Sequence, residues 1–282
     1  MAAFYNQATL SYNGRVTSSN ITVGEITESL GITKTALSDV YSGSDTVSYV
    51  IGITNSGVAL SDVSVTDDLG TYAFGAGTLT PLEYVEGSVK YYINGALQPS
   101  PQTLAGPPLS FSGIDIPAGG NVLIIYEARA NEFAPLATGS TITNTATASG
   151  GGIATPLSAE ETVTVLSEPI LSVIKSLSPT DVTPGGDLTY TFTIQNSGNA
   201  EVPATGDMVI SDTFSPALSD ITVIFNGVTL VEGVGYTYDE ATGLFATLPG
   251  ALSVEAATFT QGEDGSYTTT PGISTLTVSG TI

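Results

Sequence analysis

Residues 45–57 run Asp45-Thr-Val-Ser-Tyr49-Val-Ile-Gly-Ile-Thr-Asn55-Ser-Gly57, and residues 187–198 run Asp187-Leu-Thr-Tyr190-Thr-Phe-Thr-Ile-Gln-Asn196-Ser-Gly198. Val47, Tyr49, Ile51 and Ile53 alternate, so they share one face of a strand. Leu188, Thr191 and Ile194 make the second copy the less regular of the two. A lysine strand precedes each stretch, as Gly31-Ile-Thr-Lys34-Thr and as Ser172-Val-Ile-Lys175-Ser. Lysine to tyrosine is 15 residues in both copies, and lysine to the Asn-Ser-Gly turn is 21 in both. A later strand recurs as Val65-Thr-Asp67-Asp-Leu69 and Ile210-Ser-Asp212-Thr-Phe214. Spacing shared over this length is an internal repeat.

Outward from these strands the chain alternates short apolar-polar runs with Asn-Gly, Asn-Ser-Gly and Pro-Gly turns. Val89, Tyr91 and Ile93 before Asn94-Gly95 form one hairpin arm, and Val223 and Phe225 before Asn226-Gly227 form its repeat. Helical periodicity is absent. The expectation is an all-β chain of two tandem immunoglobulin-like β-sandwiches, spanning residues 30–167 and 168–282, preceded by a donor strand or hairpin over residues 1–29. The seam falls near Ser167-Glu168-Pro169, where proline interrupts the strand pattern.

Composition narrows the function. The 282 residues contain no Cys and no His, which removes the disulfide, the thiolate nucleophile and the usual general base or metal ligand. No cofactor is expected. Lys+Arg 5 against Asp+Glu 27 gives a formal net charge of −22, which repels phosphate backbones and anionic membranes alike. No run of about 18 apolar residues offers a membrane span. The start, Met1-Ala2-Ala3-Phe4-Tyr5-Asn6, has neither the basic region nor the apolar core of a signal peptide.

The second copy is shorter than the first. After its Val122–Glu127 strand, copy one continues through Thr143-Asn144-Thr-Ala-Thr147, a bend at Gly150, Gly151 and Gly152, and Glu161-Thr-Val-Thr-Val165. The run Ser274-Thr-Leu-Thr-Val-Ser279 corresponds to the strand at Tyr126, and nothing like Asn144 to Val165 follows it. The N-terminal segment resembles what copy two lacks. Asn6-Gln-Ala8-Thr9 matches Asn144-Thr-Ala146-Thr147, and Ile21-Thr-Val-Gly-Glu-Ile-Thr27 parallels Glu161 to Val165. A donor supplied head-to-tail to the next copy gives ladder hydrogen bonds and buried side chains together. Such a heterologous contact does not close, and so builds a filament.

Two of the three lysines, Lys34 and Lys175, hold the same repeat position; the third is Lys90. Asp67 and Asn144 complete a set for Lys34. Asp212 pairs with Lys175, and Asn6 of a neighbouring copy would complete that set. Buried together, an amine and a carboxyl group are both driven toward neutrality. The amine then attacks the asparagine amide carbon while the acid shuttles protons and ammonia leaves. This is one self-directed turnover, so the chain is not expected to be an enzyme. Asp68 adjoins Asp67 on the opposite face; Asp67 aligns with Asp212, and a register one residue off would substitute Asp68.

Lys34, Asn55-Ser-Gly57, Val65-Thr-Asp67 and Asn144-Thr-Ala-Thr147 resemble the isopeptide-forming conserved-repeat domains of bacterial surface and fimbrial proteins, and so do Lys175, Asn196-Ser-Gly198 and Ser211-Asp212-Thr213. The resemblance implies an extracellular role at a cell surface, with an intramolecular Lys34–Asn144 bond assisted by Asp67. The missing asparagine of copy two then points to an intermolecular Lys175–Asn6 bond, with Asp212 in the role of Asp67. A spore appendage fits the plain start equally well.

The rival reading is a monomeric cell-surface adhesin or carbohydrate-binding module, with Tyr91-Tyr92 and Tyr236-Thr-Tyr238 stacking on sugars or an unknown surface receptor as partner. Alternating strand tyrosines are more commonly core or cross-strand pairs. Paired carboxylates for glycoside hydrolysis have no cleft to line. The acidic turns Tyr238 to Gly243 and Gly262-Glu-Asp-Gly265 lack EF-hand spacing, so no metal site is expected.

Overall fold

A computed structural model describes residues 2–26, 30–43 and 45–282. Met1 and residues 27–29, which belong to the expected N-terminal segment, lie outside the described residues, as does Ser44.

The N-terminal segment is a long hairpin. Strand β1 (Ala2–Asn6) pairs with β4 (Thr22–Ile26), and β2 (Thr9–Tyr12) pairs with β3 (Arg15–Ser18). Asn13 and Gly14 turn it with φ of 47° and 75°, the left-handed pair that a two-residue hairpin loop requires. Phe4, Tyr5, Leu10, Tyr12, Val16, Ile21 and Val23 are all exposed along it.

The first sandwich begins with β5 (Leu30–Ala36), β6 (Val40–Tyr41), β7 (Thr46–Asn55) and β8 (Leu60–Asp67). Short strands follow: β9 (Tyr72–Phe74), β10 (Gly77–Leu79), β11 (Leu82–Tyr84), β12 (Lys90–Ile93), β13 (Ala96–Gln98) and β14 (Gln102–Leu104). It ends with β15 (Leu109–Ile116), β16 (Asn121–Ala130), β17 (Thr141–Gly150) and β18 (Leu157–Val165). One sheet runs β13-β12-β16-β7-β5, with β11 also on β16; the other runs β14-β15-β8-β17-β18-β6. Period-two alternation places Val47, Tyr49, Ile51 and Ile53 against Val63, Val65, Phe111 and Ala146 in one core.

The second sandwich contains β19 (Leu171–Ser178), β20 (Asp187–Asn196), β21 (Ser211–Thr213), β22 (Ser219–Phe225) and β23 (Val228–Thr229). Then come β24 (Tyr236–Asp239), β25 (Leu244–Thr247), the hairpin β26 (Thr258–Gln261) and β27 (Tyr267–Thr270), and finally β28 (Gly272–Thr281). Its sheet order β19-β20-β28-β22-β23 repeats β5-β7-β16-β12-β13 strand for strand. The facing sheet repeats only part of its counterpart. Strands β21-β25-β24 stand for β8-β15-β14, and among the described residues no strand pairs the other edge of β21. In the first sandwich that edge, on β8, is taken by β17.

One sequence expectation needs correcting. Copy two is regular: Leu188, Phe192 and Ile194 are buried on one face, and Tyr190 on that face stacks on Phe214 at 4.8 Å. Thr191, one residue out of phase, belongs to the other face.

The Asn-Ser-Gly segments are more than turns. Asn196 is fully buried and accepts hydrogen bonds from the Ile170 and Gly198 amides at 3.0 Å each, while its Nδ2 donates to the carbonyls of Ala200 at 2.7 Å and Glu255 at 3.0 Å. Asn55 does the same in the first copy, donating to Val58 and Pro117 carbonyls and accepting from the Gly57 amide. At Gly198 an added Cβ would lie 2.2 Å from the Glu168 carbonyl oxygen, so the incoming chain passes too close for any side chain. Asn199 adds a link between the sandwiches through the Leu136 and Leu166 carbonyls, and Gln261 reaches Tyr72 of the first sandwich at 2.9 Å.

Each buried backbone group left unpaired costs about 1–3 kcal/mol. Asn196→Ala should therefore destabilise the chain by about 3 kcal/mol or more in urea denaturation. A loss within the error of the measurement would show that those bonds contribute nothing.

Candidate functional site

Lys34 is the fifth residue of β5 and points into the core, opposite Ile51 of β7. A charged amine enters such a place only with partners, because desolvation disfavours its charged form. Two sheets supply those partners. Lys34 Nζ bonds Asp67 Oδ2, from the end of β8, and the Tyr126 hydroxyl of β16 at 3.0 Å. Tyr126 in turn donates its hydroxyl hydrogen to Asp67 Oδ2 at 2.7 Å and accepts from Asn144 Nδ2 of β17 at 3.0 Å. Its one donor and two lone pairs are thereby all used. Both side chains of the Lys34–Asp67 pair are 0% exposed, and Asn144 is equally buried.

The surroundings are aromatic. Lys34 Nζ lies 4.7 Å from the Tyr49 ring centre and 5.3 Å from that of Tyr126, and those two rings stack at 5.6 Å. Burial lowers the Lys34 pKa from its ordinary value, with the Asp67 charge opposing the shift. Burial also raises Tyr126 well above the usual phenol range, so it stays a hydroxyl and a donor. The Asn144 Oδ1 atom is buried without a hydrogen-bond partner among the described residues. The Tyr49 hydroxyl is the other buried polar atom left without a partner among the described residues.

The structure thus brings Lys34, Asp67 and Asn144 together. It also settles which aspartate faces the lysine: Asp68 points the other way, accepting the Gly70 and Thr145 amides at 2.9 Å each. Tyr126 was missed by residue-type reasoning. The signal for it was the alternation Val122, Ile124, Tyr126, Ala128, which faces the core throughout β16.

The second site is the same pair in an open setting. Lys175 Nζ bonds Asp212 Oδ2, and lies 4.4 Å from the Tyr190 ring centre. Here the side chains are 40% and 19% exposed. The ladder puts Tyr190 opposite Val278, where the first copy has Tyr49 opposite Tyr126, so no hydroxyl joins this pair from β28. Asn6 is not brought to Lys175. It sits exposed on β1, opposite Thr22, and its carbonyl accepts from that threonine's hydroxyl at 3.2 Å.

No family model and no curated protein matches the chain. Solved structures with partial likeness include BcpA, the major pilin subunit of Bacillus cereus, at TM-score 0.38 and 15% identity, covering 96% of this chain and 73% of that one. The pilus backbone RrgB of Streptococcus pneumoniae gives TM-score 0.34 and 14% identity over 82% of this chain, which spans 52% of that one. The collagen-binding subdomain ACE19 of the Enterococcus faecalis surface protein ACE gives TM-score 0.30 and 9% identity, over 50% of this chain and 99% of that one.

Tyr126→Phe keeps the ring and removes the hydroxyl that holds amine, acid and amide together. If amide formation uses this geometry, the variant should complete it at least about tenfold more slowly, a loss of about 1.4 kcal/mol of transition-state stabilisation. Intact mass followed from the moment of refolding measures this, and an unchanged rate would remove Tyr126 from the chemistry.

Proposed function

We propose that this chain is the structural subunit of an extracellular filament, built head-to-tail by insertion of residues 1–29 of one copy into the sandwich 168–282 of another. Residues 30–167 form the self-contained sandwich between them. Two isopeptide bonds lock the assembly: Lys34–Asn144 within each subunit, and Lys175–Asn6 between subunits. The chain performs these bonds on itself once and turns nothing over, which makes it a structural protein of the cell surface rather than an enzyme.

One observation carries the reading: the same lysine-aspartate pair is sealed in one sandwich and open in the other. The seal in the first is the hairpin β17–β18, whose β17 pairs with β8 and brings Asn144. In the second, no strand pairs the corresponding edge of β21 among the described residues, and Leu171, Val173 and Ile174 of β19 are exposed. The N-terminal hairpin is a second β17–β18 in outline. Phe4, Asn6 and Ala8 alternate as Ile142, Asn144 and Ala146 do, and Gly24 opposite Phe4 leaves room for its ring. An unpaired edge and exposed apolar strand are liabilities unless covered, and a hairpin of matching pattern is their natural cover.

In the first site a proton passes from Lys34 to Asp67, leaving a neutral amine and a carboxylic acid. The Lys34 Nζ–Asn144 Cγ bond forms and the Cγ–Nδ2 bond breaks; Asp67 gives its proton to the departing Nδ2 and takes up the second Nζ proton, so ammonia leaves, the new amide is neutral and Asp67 ends as the acid. Each bond lowers the mass by about 17 Da. Closing a loop of this size removes about 4–5 kcal/mol of unfolded-state entropy by the arithmetic used for disulfides.

Boiling in detergent followed by gel electrophoresis tests the proposal. The wild-type chain should give a ladder of covalent multimers, and Lys175→Ala or Asn6→Ala should collapse it to one band about 17 Da below the sequence mass. Monomer at the unmodified mass from native filaments or from the soluble chain would overturn the chemistry, and a soluble monomer that binds glycans would favour the adhesin reading. Asn144→Ala should restore the lost mass and lower the midpoint of thermal unfolding by about 10 °C or more.

A further inference from the structure

We infer that Lys175 is chemically dormant in the free subunit, and that docking of another copy's hairpin is the event that releases it for amide formation. This rests on the filament reading above and concerns the order of events at its intersubunit site. Bonding cannot precede docking, because docking creates the environment in which the amine becomes a nucleophile.

The two sites of one chain are the two states of the switch. At Lys34, β17 and β18 cover the pair, both side chains are 0% exposed, and the amine pKa is lowered by burial. At Lys175 the partner carboxylate and the aromatic ring beneath the amine are already in place, yet water reaches both ends of the pair, at 40% and 19% exposed. An amine attacks only through a free lone pair, and burial is what favours its neutral form. The two sites differ in their cover and in the Tyr126 hydroxyl, which Val278 replaces in the second. Every residue of β19 but Leu177 is exposed, whereas in β5 Lys34 is buried and Leu30, Ile32 and Ala36 are half-buried. An incoming hairpin in the register of β17 on β8 sets Ala8 opposite Asp212 and Asn6 beside Lys175, as Ala146 is opposite Asp67.

Burial then shifts the proton from Lys175 Nζ to the Asp212 carboxylate. The Nζ–Cγ bond to Asn6 forms as Cγ–Nδ2 breaks; Asp212 gives its proton to the departing Nδ2 and takes up the second Nζ proton, so ammonia departs and a neutral amide remains. Val278 in place of Tyr126 leaves this site without the hydroxyl that positions the amide in the first. The intersubunit bond is therefore the slower of the two, and a docked, unbonded stage separates association from locking.

Full-length Asn6→Ala and Asn6→Ser chains test the order, since both can dock and neither can bond. A short pulse of an amine-acylating N-hydroxysuccinimide ester is applied to dissociated subunits and to filaments, with exposed Lys90 as the internal reference. Lys175 should react at a rate like that of Lys90 in subunits and at least about tenfold more slowly in filaments, as burial of an amine requires. Filaments in which Lys175 stays as reactive as Lys90, or subunits in which it is already protected, overturn the inference and leave the filament reading standing. If wild-type filaments form and neither variant assembles, docking depends on the bond and the proposed order is wrong. If the wild-type chain forms no filaments under electron microscopy, the filament reading itself fails, and this inference with it.

Discussion

A β-sandwich is stable when each sheet covers the inward face of the other and when its strand edges are paired, short or charged. The first sandwich of this chain meets that condition through β17 and β18, which pair β8, receive β6 and lie over β5. The second meets it over β20, β28 and β25, where Phe192, Leu276, Val278 and Phe245 are buried, and fails it along β19 and β21. The open edge and the half-solvated lysine are consequences of that one imbalance, and the proposed docking of another copy's N-terminal hairpin would relieve it.

The lysine-aspartate pair is the chemical expression of the same constraint. Burying an ion pair is costly unless the remaining donors and acceptors are satisfied. Tyr126 supplies part of that satisfaction in the first site, with a saturated hydroxyl and a ring that flanks the amine, while Asn144 Oδ1 stays unpartnered among the described residues. An amide formed from Lys34 and Asn144 would replace the buried amine with a neutral group, with Asn144 Oδ1 kept as its carbonyl oxygen and Asp67 left as a neutral acid able to donate to it.

Much of this was legible in the sequence because strands write their faces into it. Alternation through Val47 to Ile53, the Asn-Gly turns with left-handed backbone, and the recurring lysine-to-tyrosine spacing located both sandwiches. Lys34, Asp67 and Asn144 stood out because lysine is scarce and the repeat aligned their strands. Thr191 misled, since a threonine on the outer face resembles an inner β-branched residue when Tyr190 and Phe192 are read without the ladder. Tyr126 stayed hidden for a different reason: its hydroxyl matters through contacts from β5, β8 and β17, and no local pattern marks a residue whose partners come from three other strands. The role of Asn55 and Asn196 was likewise concealed, because their hydrogen bonds reach loops about 60 residues away, at Pro117 and Glu255.

The central claim is that one copy completes another. It is tested most directly by assembling subunits grown in ordinary nitrogen with subunits grown in heavy nitrogen, digesting the filaments with a protease that does not need basic residues, and sequencing the crosslinked peptides by mass spectrometry. The account predicts Lys175–Asn6 peptides in which one half is light and the other heavy, alongside Lys34–Asn144 peptides whose halves always match. Lys175–Asn6 peptides with only matching halves would mean that each chain closes on itself. Their absence from filaments would mean that the hairpin does not bond to the second sandwich at all.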